Sequence, residues 1–281
     1  KLPKVLLLDE PLSNLDARLR LATREEIHRI QQETGITTVF VTHDQDEAMS
    51  ISDLIVVMKE GVLQQVDSPQ KVYDDPANQF VAQFLGTPPI NMFSGEVRDG
   101  KLWINSEPVL NIAGDQMAVI GHVNVGIRPE GFILLENGAL GNEMVRPEIT
   151  GRDVSVIFRN KAAKSDVVRS IISADDWNHI TGGEVRFDLK PSKVFLFDPA
   201  TGSRIRVTLE PLTSTHLEAP AQPVPAKQEQ APSAPEPVPS RDKAPVFGRT
   251  LTTFTVLTED GEAEAVLETD AVDTWIGTGE V

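Results

Sequence analysis

The stretch Val5-Leu6-Leu7-Leu8-Asp9-Glu10-Pro11 decides the fold of the chain around it. Four consecutive apolar residues that end in two carboxylates predict a strand that is buried on both faces of a parallel sheet. Such a strand delivers acidic side chains to the carboxyl edge of the sheet, where open α/β sheets bind their ligands. Pro11 has no N–H to donate to a neighbouring strand, so it ends the strand. The stretch therefore predicts an acidic binding site at one edge of a parallel sheet.

The two carboxylates suit different tasks at such an edge. Mg²⁺ prefers oxygen ligands and usually takes only one or two carboxylates from the protein when it lies beside a nucleotide phosphate. Asp9 is therefore the predicted metal ligand. Glu10 points in another direction and is predicted to orient, as the catalytic base, the water that attacks the γ-phosphate. An apolar run ending in Asp-Glu also occurs in α/β proteins without a nucleotide site, so the stretch alone leaves a purely structural interpretation open.

Two further motifs lie within the first 44 residues. Ser13-Asn14-Leu15-Asp16 comes directly after the strand end, and a second buried-strand pattern at residues 38–41 continues into Thr42-His43-Asp44. Together the three motifs resemble the Walker B strand, the D-loop and the switch histidine of an ABC transporter ATPase. The resemblance implies an α/β fold containing part of a P-loop NTPase with a RecA-like parallel sheet, and it implies ATP and Mg²⁺ as cofactors.

The same resemblance implies roles for two more side chains. His43 is expected to contact both the γ-phosphate of ATP and Glu10, which makes it a catalytic and a nucleotide-binding residue. Asp16 is expected to lie at a dimer seam and to touch the phosphate loop of the opposite subunit. Asp16 is also a suitable N-cap for the helix that follows, and the two roles are compatible.

Hydrophobic periodicity predicts the other elements of a first domain, residues 1–86. An amphipathic helix from Asp16 to Thr34 is expected to pack its apolar side chains on the sheet and to end at Gly35. The predicted elements after it are a parallel strand at 36–42, a short helix at 44–49, a hairpin of strands 54–58 and 62–66, and two short helices, the first opened by Pro69 and the second at 78–85.

The phosphate loop of such an ATPase is missing from the sequence. A glycine, four residues and Gly-Lys-Ser/Thr are expected before Asp9, and nothing there matches. Residues 95–101 have the spacing, but Leu102 replaces the metal-binding hydroxyl and two acids inside the loop would repel phosphate. The chain alone is therefore expected neither to bind nor to hydrolyse ATP appreciably. Because Lys1 lies just before a central strand, we expect the chain to be the C-terminal part of a longer protein.

A second domain, residues 87–212, follows Gly86-Thr87-Pro88-Pro89 and has an all-β pattern of short strands and turns. Its predicted strands lie at 93–97, 102–104, 117–120, 124–127, 132–135, 148–158, 167–173, 184–189 and 194–197. This pattern favours a small barrel of the OB type. Residues 89–93, 126–130 and 194–198 resemble signatures of the TOBE regulatory domain of carbohydrate-importer ATPases of the maltose and glycerol-phosphate type. Within this domain, Arg128 and Glu130 are predicted to form a structural ion pair or to contact a partner subunit.

The remaining sequence predicts no core. Eight prolines lie among Ala, Gln, Glu and Ser between Pro220 and Pro245, so residues 213–245 are predicted to be a disordered Pro/Ala-rich linker. Residues 246–281 form an acidic tail, in which segments 250–257 and 263–267 are predicted to make one hairpin. A single hairpin is marginal in water, so the tail is expected to be disordered or docked on a partner.

Composition limits the class of protein and its compartment. The chain has 281 residues, 40% of them apolar, which is enough for two ordinary domains. Its net charge of −16 argues against nucleic acid or an anionic membrane surface as a direct partner, since either needs a basic patch. The absence of cysteine excludes disulfides and thiolate metal sites and fits a cytosolic setting. No apolar run is long enough to span a membrane.

The resemblance implies an ATP-hydrolysing subunit of an ABC importer for a sugar or related solute, with a polyamine, iron or another small solute as the alternative. Expected partners are a second ATPase subunit in a homodimer, two transmembrane permease subunits and, indirectly, an extracytoplasmic solute-binding protein. The expected location is the cytoplasmic face of the plasma (inner) membrane, as a peripheral protein. The alternative function is a non-catalytic regulatory module, or half of a split ATPase.

Overall fold

The computed structural model describes residues 4–113, 121–177, 183–212 and 253–257. The predicted linker and most of the tail lie outside the described residues. The first region contains, in chain order, β1 (Val5–Asp9), α1 (Ala17–Thr34), β2 (Thr37–Thr42), α2 (Gln45–Ile51), β3 (Leu54–Lys59), β4 (Val62–Asp67), α3 (Pro69–Asp74) and α4 (Gln79–Phe84). None of the described helices has the length and apolarity that a membrane crossing requires.

Local sequence accounts for the helix ends of this region. The carboxylate of Asp16 accepts the N–H groups of Arg18 and Leu19, at 3.1 and 3.0 Å, so it caps α1 as predicted. Gly35 ends α1 with φ 65°, and its N–H donates to the carbonyl of Gln31. The packing face of α1 is narrower than its periodicity predicts, because Leu19 and Ile30 are exposed.

The sheet of the first region is mixed. Its strand order is β1-β2-β17-β3-β4, where β17 is Thr253–Leu257 from the far end of the chain. The first four strands in this order are parallel, and β4 is antiparallel to β3. Burial on both faces holds for β2, where residues 38–42 are all buried. It is wrong for β1, since Leu7 is 64% exposed. The reason is that side chains point to the faces of the sheet, and the described residues leave the side chain of Leu7 uncovered on its face of β1.

Strand β17 has a position that its sequence does not predict. It runs parallel between β2 and β3, with Thr255 opposite Phe40 on one side and Ile55 on the other. Thr255 and Val256 are fully buried, and the hydroxyl of Ser52 donates to the hydroxyl of Thr255. The predicted hairpin mate, residues 263–267, lies outside the described residues. Alternating apolar residues identify a strand but not its neighbours, which explains why only a local hairpin was expected.

This placement predicts a specific cross-link. The chain has no cysteine, so the pair Ser52→Cys and Thr255→Cys introduces the only two thiols. Since the two native hydroxyls are in hydrogen-bond contact, mild oxidation is expected to join the cysteines. Mass spectrometry of a non-reduced tryptic digest would detect the joined peptides. The matched pair Ser94→Cys and Thr255→Cys, with Ser94 exposed on another strand, is the control; equal cross-linking in both pairs would contradict the position of β17.

The second region is almost entirely β. Its strands are β5 (Asn91–Arg98), β6 (Lys101–Ile104), β7 (Glu107–Ile112), β8 (Gly121–Ile127), β9 (Phe132–Leu134), β10 (Leu140–Thr150), β11 (Asp153–Arg159), β12 (Val168–Ser173), β13 (Glu184–Leu189), β14 (Val194–Phe197), β15 (Arg204–Ile205) and β16 (Leu209–Glu210), with a short helix α5 (Ala174–Trp177) after β12. They form a five-stranded sheet, β12-β11-β10-β13-β9, and a seven-stranded sheet, β15-β14-β8-β5-β6-β7-β16.

The two sheets share one hydrophobic core. Phe93 and Val125 of the seven-stranded sheet belong to the same buried cluster as Phe132, Phe158 and Phe187 of the other sheet. The last three rings contact one another with centroids 5.1 to 5.4 Å apart. The barrel-like packing follows from this common core.

Several strands in this region differ from the prediction, among them β15, β16 and the first part of β10, none of which was predicted. Residues 148–158 were predicted as one strand, but Gly151 adopts φ 68° and turns the chain between β10 and β11. Strand β7 was not predicted, because Pro108 interrupts its apolar pattern. The predicted strand at 117–120 lies outside the described residues.

Candidate active site

The carboxyl ends of β1 and β2 place two of the predicted residues together. Asp9 is opposite Val41 in the parallel register, and the N–H of Glu10 donates to the carbonyl of Val41 at 2.9 Å. Oε1 of Glu10 lies 2.7 Å from Nδ1 of His43, 33 residues further along the chain. The side chain of His43 is 56% exposed and that of Glu10 is 30% exposed. A carboxylate and an imidazole in contact at an open sheet edge can together orient a water or a phosphoryl group.

Glu10 has an unusual backbone conformation. Its φ is 40°, in the left-handed region that few residues other than glycine occupy. The turn after it holds this conformation, because the N–H and the hydroxyl of Ser13 both donate to the carbonyl of Glu10, at 3.3 and 3.0 Å. Strained backbone of this kind is concentrated at functional sites. Here it directs the carboxylate of Glu10 toward His43 instead of along the strand.

Asp9 is exposed at the end of β1 and has no hydrogen-bond or ion-pair partner among the described residues. The described residues contain no cluster of three or more potential metal ligands. Magnesium takes most of its ligands from water and phosphate, so a single free carboxylate at this edge is compatible with it. Asp16, the other predicted residue, caps α1 and makes no hydrogen bond to Glu10 or His43.

Polar contacts hold the loop that carries His43. Thr42 donates its hydroxyl to Glu47, which is only 3% exposed, at 2.7 Å. Asp44 caps α2 by accepting the N–H groups of Asp46 and Glu47. Arg20 of α1 then reaches both acids, at 3.2 Å from Asp44 and 3.7 Å from Glu47. The motif around His43 contains Asp44 and Glu47, but nothing in the neighbouring sequence indicates that both contact Arg20.

Arg128 and Glu130 do not pair with each other, so the predicted ion pair is wrong. The guanidinium of Arg128 is fully buried and lies 3.9 Å from the centre of the Tyr73 ring. Glu130 instead accepts the Tyr73 hydroxyl at 3.1 Å and lies 3.4 Å from Lys193. Burial raises the pKa of Tyr73 to about 12 and lowers that of Arg128.

Known proteins resemble the chain over most of its length. The trehalose/maltose import ATP-binding protein MalK of Thermococcus litoralis is 40% identical over 219 residues, which cover 72% of this chain and 58% of that protein. The diacetylchitobiose uptake system ATP-binding protein MsiK of Streptomyces coelicolor is 36% identical, over 72% of this chain and 59% of that protein. The chain thus spans about half the length of the curated relatives it matches.

No model of a protein family matches the chain. Among solved structures, the cytoplasmic molybdate-binding protein ModG with molybdate bound is 13% identical, covering 38% of this chain and 94% of that one with a TM-score of 0.30. A likeness this weak carries no argument about the fold or a ligand.

Proposed function

We propose that this chain, a homologue of the ATP-binding subunits of sugar-import ABC transporters over about 72% of its length, is part of an ATP-hydrolysing subunit that drives uptake of a sugar or a related small solute. The observation that carries the proposal is the contact between Glu10 and His43 at the carboxyl edge of the sheet. A polyamine, iron or another small solute is the alternative cargo, because none of the described contacts recognises a solute.

Each residue of the edge has a proposed role. Asp9 would hold Mg²⁺, which when bound neutralises charge that develops on the transferred phosphoryl group. Glu10 orients the attacking water and accepts its proton. His43 keeps the carboxylate of Glu10 in place through the 2.7 Å contact and responds to the γ-phosphate. Asp16 would contact a second ATPase subunit, while its N-cap role fixes the start of α1.

The open edge of β1 supports a site that is completed by further protein. Leu7 is 64% exposed there, and both side-chain polar atoms of Gln31 are buried without a hydrogen-bond partner beside β1. An apolar cavity of about 120 Å³ between β1 and α1 lies against Gln31. Apolar side chains that are exposed on a strand favour cover by further protein, which here would bury Leu7. The phosphate loop is proposed to come from this added part.

The proposed setting is the cytoplasmic face of the plasma membrane. There the subunit would form a homodimer, bind two transmembrane permease subunits and act indirectly with an extracytoplasmic solute-binding protein. Closure of two ATPase domains around two nucleotides would drive the permease. The β-rich region would hold the dimer together and receive regulatory signals, in the manner of an OB-like TOBE domain.

A nucleotide titration tests whether the phosphate-binding loop lies outside the 281-residue chain. The 281-residue chain is expected to bind MgATP no more tightly than about 1 mM by calorimetry, because it lacks a Gly-Lys phosphate cradle. The polypeptide encoded by the whole reading frame is expected to bind in the micromolar range and to hydrolyse ATP. Micromolar binding by the chain alone would refute the assignment of the cradle to another segment. Failure of the longer polypeptide to hydrolyse ATP would favour the alternative, a non-catalytic regulatory module or half of a split ATPase.

A further inference from the structure

A side chain next to His43 connects the candidate site to the end of α4. The N–H of Gly86 donates to Oε1 of Gln45 at 2.7 Å, across 41 residues of sequence. Gln45 is the first residue of α2 and is half-buried. It is not needed to start this helix, because Asp44 already accepts the N–H groups of Asp46 and Glu47. Oε1 of Gln45 therefore accepts a hydrogen bond from a residue outside α2.

Gly86, the donor of this hydrogen bond, tolerates little movement. Gly86 has φ 113°, which L side chains rarely adopt. A Cβ at this position would lie 3.1 Å from both Nη1 of Arg128 and Cε2 of Tyr73. The side chains of Arg128 and Tyr73 therefore lie close beside Gly86, and a displacement of its backbone toward them would press on both.

Arg128 carries the connection into the β-rich region. It directly follows β8 and donates to the carbonyls of Ala82 at 3.0 Å, of Tyr73 at 2.9 Å and of Leu85. Tyr73 lies in α3, Ala82 lies in α4 and Leu85 directly follows α4, so one guanidinium ties two helices of the first region to a strand end of the second. Lys193, which precedes β14, adds an ion pair to Asp74 at 2.7 Å.

We propose that Gln45 is a positioning residue that couples the His43 loop to the β-rich region through Gly86 and Arg128. A shift of the start of α2 changes the hydrogen bond to Gly86, and the packing of Gly86 passes that change to Arg128. We call this coupling from Gln45 through Gly86 to Arg128 the relay. Its biological role rests on the proposed function, because His43 is the group that would sense the phosphate. Its physical content, an energetic link between the two regions, can be tested without nucleotide.

Hydrogen exchange of the 281-residue chain tests the contact first. Gln45→Met removes the acceptor at similar volume, and amides around Gly86 are expected to exchange about fivefold faster. Gln45→Glu retains an acceptor oxygen and is expected to restore protection to within about twofold of the native chain. Equal exchange around Gly86 in the native chain and in Gln45→Met would overturn the proposal.

A double-mutant cycle then tests the coupling, which a merely local bond would not show. Arg128→Lys perturbs the far end of the relay, and exchange is read in residues 37–47 around His43. In the native chain, Arg128→Lys is expected to change the exchange of these amides. In a chain that already carries Gln45→Met, it is expected to leave their exchange unchanged. If Arg128→Lys unfolds the chain, Tyr73→Phe takes its place in the cycle, because it is a milder change that removes only a hydroxyl. The same response in both backgrounds would overturn the relay.

The longer polypeptide separates this inference from the proposed function. If it hydrolyses ATP, Gln45→Met is expected to lower kcat several-fold with little change in KM, and Gln45→Glu to restore it. Coupling in the exchange cycle without ATP hydrolysis would support the relay and refute the ATPase assignment. Hydrolysis with no exchange coupling would refute the relay alone.

Discussion

Replacing Glu10 by Gln in the full-length polypeptide, which we propose to be an ATPase, is expected to lower turnover by about a hundredfold to ten-thousandfold while MgATP binding persists. The amide keeps the size of the carboxylate and a contact with His43, which lies 2.7 Å away. It cannot accept the proton of the attacking water. In the proposed site, binding depends on the phosphate cradle and on Mg²⁺ at Asp9, neither of which the substitution removes. Steady-state phosphate release and equilibrium nucleotide binding measure the two properties separately.

The matched control for this prediction is Glu25→Gln. Glu25 is an exposed residue of α1, so the same chemical change is made away from the sheet edge. Its turnover is expected to equal that of the native protein. Unchanged turnover in Glu10→Gln would remove Glu10 from the mechanism, and lost nucleotide binding would show that Glu10 supports the site structurally instead.

The resemblance to an ABC transporter ATPase implied the contact between Glu10 and His43, and the strand pairing accounts for it physically. Parallel strands place their carboxyl ends at one edge, and β1 and β2 are in register from Val5 opposite Thr37 to Asp9 opposite Val41. Helix ends were equally predictable, since Asp16 and Gly35 act through local chemistry. Local patterns therefore predicted many of the elements and the polar groups at their ends.

Contacts between distant segments could not be predicted in the same way. Strand β17 enters the sheet between β2 and β3 from about 200 residues away, and its alternating pattern is equally compatible with a hairpin. Arg128 and Glu130, two residues apart, suggested an ion pair. The partners of Arg128 are carbonyl groups of α3 and α4, and backbone acceptors leave no signature in a sequence.

Arg128→Met is expected to destabilise the chain by about 3 kcal/mol or more, because it removes three hydrogen bonds from a charged donor to buried carbonyls. The methionine fills part of the volume but leaves these acceptors unpaired. Arg128→Lys keeps the charge, yet a single ammonium cannot reproduce the planar fork of the guanidinium, so an intermediate loss is expected. Urea unfolding followed by circular dichroism measures the effect as a lower midpoint.

The informative comparison is with Arg206→Met, the same substitution at an arginine whose side chain is 61% exposed and pairs with Asp75. An exposed ion pair contributes less than about 1 kcal/mol, since water and salt screen it. The difference between the two variants therefore isolates burial and hydrogen bonding from the loss of a positive charge. If Arg128→Met costs no more than Arg206→Met, the guanidinium does not hold α3 and α4 to the β-rich region, and the joint must depend on apolar packing around Ala82 and Phe195 instead.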